Sequence, residues 1–301
     1  MKRRVLTHRA QRGGWLARLS CGHDGRVSNN NTWETDCPRC EGDMMDFDDY
    51  CKLPAMNWSR LKDMRVPRLF KYRETHPRPD TASLSMGRAV HLAVLEPGRF
   101  DAACAVKPDD HDGRTKEGKA WAKAQEGRHV VDRVVLQCRD SVLTHPEAMR
   151  LLEGCAVEQT IQWTDADTGA PCKARLDAVR RDWCIDLKTT SSLKWFHRDA
   201  DKYLYHGQAA WYLDAAIQAG LADEDASFYL IAVSTSEDDG FETSILRIAQ
   251  DHMDAGRRVY RTYLDLWSEC KENNIWPRLF PAITVLGLGD YAEGMNDQGD
   301  F

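Results

Sequence analysis

Two short segments constrain this chain more than any others: Cys172-Lys173-Ala174-Arg175-Leu176-Asp177 and Ile185-Asp186-Leu187-Lys188. Both read as β-strands, with Arg180-Arg181-Asp182 at a turn between them. Strand side chains alternate between faces, so Asp186 and Lys188 share one face and Leu187 points into the core. A hairpin through the turn sets Asp177 alongside Asp186. Neighbouring carboxylates repel unless a cation lies between them. A hard divalent ion takes oxygen ligands, and an adjacent lysine can steady a developing negative charge. Taken alone, the pair reads first as two solvated strand-end charges.

Composition narrows the class without naming a function. The 301 residues suffice for one large domain or two modest ones, and 42% hydrophobic with 29% charged residues is the balance of an ordinary globular protein. No apolar run approaches the roughly 18 residues that span a bilayer, so no membrane association is expected. The opening MKRRVLTHRAQRGG is basic but has no apolar stretch, which argues against a signal peptide. Most of the ten cysteines stand singly, and Cys104, Cys138, Cys155, Cys172, Cys184 and Cys270 fall mainly in apolar or amphipathic stretches. Buried thiols behave as small hydrophobes, so the expected compartment is a reducing cytoplasm. The net charge of −6 does not announce a nucleic-acid binder. Positive charge is local instead: Arg60, Lys62, Arg65, Arg68, Lys71, Arg73 and Arg78 face only Asp63 and Glu74 within their stretch.

Periodicity divides the chain into three parts. Residues 1–45 are rich in Gly, Asn, Arg and Cys and lack long apolar periodicity. There, Cys21-Gly22-His23 and Cys37-Pro38-Arg39-Cys40 offer four soft ligands in two clusters, which predicts a zinc-ribbon-like segment around a structural Zn2+. Incidental cysteines in a tail are the alternative. Residues 46–285 form the main domain, and the acidic stretch 286–301 is expected to be disordered. Within the main domain, a helix starts at Asn57 or Ser59 and is kinked or divided at Pro67. A second helix runs from about Ser85 to Leu95. Residues 98–130 read as loops, and a helix over 131–153 is interrupted near His145-Pro146. Strands over 157–163, 172–179 and 183–188 precede a helix over 203–219, strands over 228–234 and 242–247, and an amphipathic helix over 249–272. That order predicts an α/β domain with a mixed sheet.

Other residues join the aspartates. His91 lies one turn after Gly87, and neutral imidazole is a good metal ligand. Glu158, early in the preceding strand, could add a carboxylate. Gln208 and Tyr212 lie one helical turn apart and could reach the lysine or a phosphate; a packed core pair is an equal reading. Lys173 and Arg175 alternate onto the Asp177 side of their strand, where phosphate contact becomes feasible.

In order, GRAVH, a glutamate, CKARLD, IDLKTT and QAAWY resemble the PD-(D/E)XK nuclease superfamily, RecB-like branch, nearest the exonuclease VIII (RecE) type of phage exonucleases. MNWSRLKDMRVPRLFKY and MGRAVHLAVLEP resemble the opening segments of that group, and the resemblance spans about residues 50–275. It implies a restriction-endonuclease-like core of a mixed sheet flanked by helices. It also implies that His91, Asp177, Asp186 and the Leu187 carbonyl bind Mg2+ or Mn2+, two ions per site, while Lys188 acts on the water and the transition state. Gln208 and Tyr212 match the QxxxY element; Glu158 matches less securely, and Leu176 replaces the usual proline. Lys173, Arg175 and Arg88 are the expected DNA contacts. The implied activity is Mg2+-dependent digestion of linear duplex DNA from 5′ to 3′, leaving a 3′ single strand for recombination. A homotetramer or other ring and a single-strand annealing recombinase partner come with it. A RecB-like endonuclease, a single-strand exonuclease and a catalytically silent recombination adaptor are the competing readings.

Overall fold

A computed structural model describes residues 45–280 and, as strand backbone, residues 2–11, 14–19, 24–27 and 34–36. The last form β1 (Lys2–Gln11), β2 (Gly14–Leu19), β3 (Asp24–Val27) and β4 (Glu34–Asp36). They make an antiparallel sheet in the order β3-β2-β1-β4. Sequence periodicity gives no sign of this sheet, because charged residues interrupt the apolar positions of β1. The predicted zinc ligands Cys21, His23, Cys37 and Cys40 lie outside the described residues, as does the 286–301 tail.

Short helices open the main domain. Helix α1 (Phe47–Lys52) begins behind Asp46, whose carboxylate accepts the Asp48 amide. Asn57 caps α2 (Trp58–Leu61) by accepting the Arg60 amide at 3.0 Å, as its residue type predicts. A 3-10 turn (Lys62–Arg65) leads to α3 (Pro67–Arg73). Pro67 therefore starts a helix rather than kinking one, the position where its missing N–H costs nothing.

Helix α4 (Ala82–Leu95) is capped by Thr81 and buries Ala89, Val90, Ala93 and Val94. The stretch expected to be loops holds α5 (Pro97–Ala103), β5 (Cys104–Val106), α6 (Lys116–Ala124) and β6 (His129–Val131). Pro97 initiates α5, Thr115 caps α6 through the Gly118 amide at 2.9 Å, and β5 pairs in parallel with β6. Such short elements carry too few residues for periodicity to register. Helices α7 (Val134–Thr144) and α8 (Pro146–Leu152) follow, broken at His145-Pro146 as expected.

The central sheet runs β11-β10-β9-β8-β7. It comprises β7 (Ala156–Thr164), β8 (Pro171–Arg180), β9 (Trp183–Thr190), β10 (Ser227–Ser234) and β11 (Thr243–Arg247). Strands β7, β8 and β9 form an antiparallel meander, β9 and β10 run parallel, and β11 returns antiparallel. Between β9 and β10 the chain passes through a 3-10 turn (Leu193–Trp195), α9 (Phe196–Lys202) and α10 (Tyr205–Gln218). The long α11 (Gln250–Asn273) closes the domain.

Both faces of this sheet are covered, which explains why β8 is buried almost throughout. One core gathers Trp58, Leu61, Leu176, Trp211, Phe228 and Leu264, beneath α10 and α11. The other gathers Val90, Val135, Val142, Ile185, Leu187 and Ile231, beneath α4 and α7. Close helix packing depends on two glycines. A Cβ on Gly207 of α10 would enter the Trp58 ring, and one on Gly256 of α11 would strike the His206 carbonyl.

Alternation along β8 is not uniform. Cys172, Ala174 and Leu176 face the first core, but Ala178 faces the second and Val179 the first. The faces therefore exchange at Asp177. At the same level of β7, Glu158 adopts φ 53°, a left-handed backbone uncommon outside glycine. This paired irregularity lies at the centre of the candidate site.

Candidate active site

Three carboxylates lie in one row across three strands. Val157↔Ala178 and Gln159↔Leu176 are paired, so Glu158 stands opposite Asp177 at the position where that ladder is interrupted. Ala178↔Ile185 is the last pair of β8 with β9, so Asp177 and Asp186 are next in line. The hairpin expected from the sequence thus forms, but its ladder stops short of the aspartates. In place of a backbone bond, the Leu187 amide donates to Asp177 Oδ2 at 2.7 Å. Backbone geometry turns the carbonyl of an extended residue toward the same edge as its amide, so the Leu187 carbonyl faces the row as well.

Helices supply the remaining groups. From α4, His91 Nδ1 lies 3.4 Å from Asp177 Oδ2. Gly87, one turn earlier, leaves α4 close to β9, since a Cβ there would sit 3.4 Å from the Thr189 hydroxyl. From α10, Gln208 Nε2 donates to Asp186 Oδ1 at 3.0 Å. Tyr212, one turn later, is half-buried beside Gln208, and desolvation holds its phenol well above the usual range, in the neutral form. Lys188 forms an ion pair with Asp186 and places its ammonium 4.9 Å from the centre of the Tyr205 ring.

Burial and crowding set the charges. Asp186 is only 2% exposed; burial and the nearby Asp177 carboxylate push its pKa up to about 6, against the pull of Lys188. Burial works against a charged His91, yet Asp177, Asp186 and Glu158 together raise its pKa to about 9. Asp177 is held below its usual value because His91, Lys188 and the Leu187 amide outweigh its own burial. Burial and Asp177 raise Glu158, with Arg175 opposing them. Lys188 stays charged: the carboxylates, Asp186 foremost, more than offset its burial. With Arg175 against Glu158 and Lys188 against Asp186, a proton on His91 balances the remaining charge of the row.

Expected DNA contacts fare differently. Lys173 is 3% exposed and donates to the carbonyls of Tyr50 at 2.6 Å and Leu53 at 2.9 Å. It ties down the C-terminal end of α1, a favourable place for a cation. Arg175 is 7% exposed and donates to Glu158 Oε2 at 2.6 Å and to the Met45 carbonyl at 2.6 Å. Simple alternation placed both on an open face beside Asp177. The covering segment of Met45 and α1, whose carbonyls accept from both side chains, closes that face instead. Arg88 does remain accessible, ion-paired with Asp80.

Sequence reasoning missed two features. One is the Arg175–Glu158 pair, whose signal was the alternation that set both residues near Asp177. The other is Tyr205, three residues before Gln208 and therefore on a neighbouring line of the same helix face.

These residues suit a divalent cation. Ligand atoms of His91, Glu158 and Asp177 all lie within 4.8 Å of one another. Asp186 Oδ2 is buried without a hydrogen-bond donor in line with it, although the Lys188 ammonium lies against it. Held by Lys188, this buried carboxylate beside a three-ligand cluster adds a further oxygen donor for an oxygen-seeking ion.

Residues 68–280 match the family described as a PDDEXK-like domain of unknown function (DUF3799). That match covers well over half of the chain. The chain belongs to this family. The DUF3799 assignment agrees with the superfamily resemblance carried by the motifs, and it does not single out the exonuclease VIII branch. Among solved structures, the DUF3799 chain is similar to a "Putative exonuclease" from Eubacterium rectale. The TM-score is 0.55 at 13% identity, over 86% of this chain and 100% of that one. At such identity the likeness speaks to the fold. The crystal structure of SSO0001 aligns over 74% of this chain and 88% of its own at 15% identity, with a TM-score of 0.26, too low to bear on the fold. No curated protein matches the chain in sequence. Among the described residues, no helix is long and apolar enough to cross a membrane.

Proposed function

We propose that this DUF3799 protein is a divalent-metal-dependent deoxyribonuclease. The observation that carries the reading is the row of Glu158, Asp177 and Asp186 on three adjacent strands, with His91 and Lys188 at its two sides. His91, Glu158, Asp177 and Asp186 would hold the ion, with the Leu187 carbonyl beside them. A bound divalent ion would polarise a scissile phosphate and make water a better nucleophile at neutral pH.

The protein's own groups do the rest. Gln208 fixes one oxygen of Asp186, and the Leu187 amide fixes one oxygen of Asp177. That preorganisation keeps the carboxylates in place without reorganisation during reaction. Lys188, kept charged by its acidic neighbours, stabilises negative charge developing on the phosphate. As a charged ammonium it is an electrostatic stabiliser rather than a general base. Tyr212 remains a neutral phenol and serves Gln208 as a packing and hydrogen-bonding neighbour.

The finer reading rests on motif resemblance: Mg2+ or Mn2+ in two sites, linear duplex DNA as substrate, 5′ to 3′ polarity, a 3′ single strand as product. A ring-like homo-oligomer and a single-strand annealing partner belong to the same reading. Digestion of linear duplex labelled at its 5′ or 3′ end, with Mg2+ or with EDTA, tests it. The expected result is early release of the 5′ label in Mg2+ only, with covalently closed circles left intact. Ready cutting of closed circles would replace the exonuclease reading with an endonuclease. Inertness toward every DNA form in Mg2+ and Mn2+ would reject a nuclease.

A further inference from the structure

Between Thr190 at the end of β9, two residues past Lys188, and Tyr205 at the start of α10, three residues before Gln208, the chain makes its crossing through the Leu193–Trp195 turn and α9. Phe196 anchors this crossing: it is 3% exposed and packs against Tyr205 with ring centres 5.9 Å apart. Its neighbours point outward. Trp195 is 43% exposed and Tyr203 is 42% exposed, two large rings left open to solvent on one short segment.

Each exposed ring carries a cation. The Arg198 guanidinium lies 4.0 Å from the centre of the Trp195 ring, and Lys194 Nζ lies 5.1 Å from it. Lys202 Nζ lies 5.2 Å from the Tyr203 ring centre. Among the described residues, none of these three cations forms an ion pair. Asp199 and Asp201 share the segment, and among the described residues neither forms an ion pair with any of the three.

The surface rings connect to the chemistry. Tyr203 stacks on Tyr205 with centres 6.0 Å apart and planes 28° from parallel. The other neighbour of Tyr205 is Lys188, 4.9 Å above its ring. Leu204, between the two tyrosines, holds φ 56°, a backbone conformation that a leucine adopts only when its surroundings impose it. The turn that aligns the rings is therefore enforced.

Alternating exposed rings and unpaired cations match one ligand class better than others. Bases stack on aromatic faces whatever their identity, and phosphates satisfy nearby cations. Duplex DNA hides its base faces, so it offers only the phosphates. An apolar protein partner would cover the rings but leave three cations without counter-charge.

We propose that Trp195 and Tyr203, flanked by Lys194, Arg198 and Lys202, form a stacking platform for unpaired DNA bases and lead a single strand toward Lys188. This rests on the reading of the site as a deoxyribonuclease, and it assigns the strand that the site engages as locally unpaired.

Binding in EDTA separates the platform from the chemistry. Fluorescence anisotropy of the full chain with a labelled oligothymidylate, and with a blunt duplex, reads affinity without cleavage. Trp195→Ala and Tyr203→Ala should each weaken oligothymidylate binding by roughly 5- to 100-fold, the effect of losing one stacked base. Trp195→Phe with Tyr203→Phe should restore binding, because a ring remains. Duplex affinity and the thermal melt should stay unchanged, since both rings are exposed. Undiminished oligothymidylate binding by the double alanine variant would overturn the platform, as would equal losses on duplex and single strand, or no binding by the wild type. Mg2+ digestion run in parallel tests the other claim. A wild type that binds through these rings yet never cleaves DNA would keep the platform and reject the nuclease.

Discussion

Glu158 and Asp177 face each other across β7 and β8 where the ladder between the strands is interrupted. Their ligand atoms, with that of His91, fall within 4.8 Å. Two carboxylates at such range need countercharge: Arg175 supplies it to Glu158, and the metal-free protein supplies it to Asp177 as a proton on His91, whose pKa rises to about 9. A metal ion must displace that proton. At pH 8, calorimetric titration with Mg2+ or Mn2+ in buffers of different ionisation enthalpy should show release of about one proton per site, declining as pH passes about 9. Titration with no proton release at pH 8 would contradict the linkage.

The same groups set the pH dependence of the metal-free fold. A folded-state pKa raised above its unfolded value gives stability that is complete below the unfolded value and is lost as pH rises through the folded one. For Asp186 the loss spans the interval from the ordinary carboxylate range to about 6, and for His91 from 6.5 to about 9. Both act in one direction. In EDTA, the melting temperature should fall as pH is raised from 6 to 9, and divalent ions should reverse the fall.

Arg175 was expected to touch DNA and instead pairs with Glu158 in a buried place. Removing one partner strands the other charge, which costs about 3–5 kcal/mol. Urea unfolding of Arg175→Ala should show a loss of that order. An unchanged midpoint accompanied by weakened DNA binding would return Arg175 to the surface role.

Helix packing gives an independent check on the fold. Gly207→Ala would drive a methyl group into the ring of Trp58, which is 2% exposed. Overpacking of this kind costs about 1–3 kcal/mol. Gly220→Ala offers a comparison, because its penalty comes from φ 68° alone and nothing lies within 4 Å of the added carbon. Gly207→Ala should unfold at lower urea and should reduce activity through α10, which carries Gln208.

Much of the site was legible because its chemistry is local in sequence. Asp186 and Lys188 share a face by strand period alone, and Gln208 and Tyr212 share a helix line by turn spacing. The β7–β8–β9 meander, the break at His145-Pro146 and the cap at Asn57 also follow from short-range signals. What could not be read depends on contacts between distant segments. Lys173 is turned inward by the carbonyls of Tyr50 and Leu53, more than a hundred residues earlier in the chain. The exchange of faces at Asp177 arises from an irregularity shared by two strands, and neither strand shows it in its own pattern. The sheet over β1–β4 has too little apolar alternation to stand out from a loop.

The most direct test of the central claim compares wild type with Asp177→Ala on end-labelled linear duplex DNA, with Mg2+ and with EDTA. Circular dichroism confirms that the variant is folded. The wild type should release label in Mg2+ and be silent in EDTA, and folded Asp177→Ala should lose activity by at least about 10²- to 10³-fold, as when a single preorganised electrostatic group is removed. Digestion by folded Asp177→Ala at the wild-type rate, or wild-type digestion undiminished by EDTA, would contradict the assignment of the Glu158–Asp177–Asp186 row as the active site.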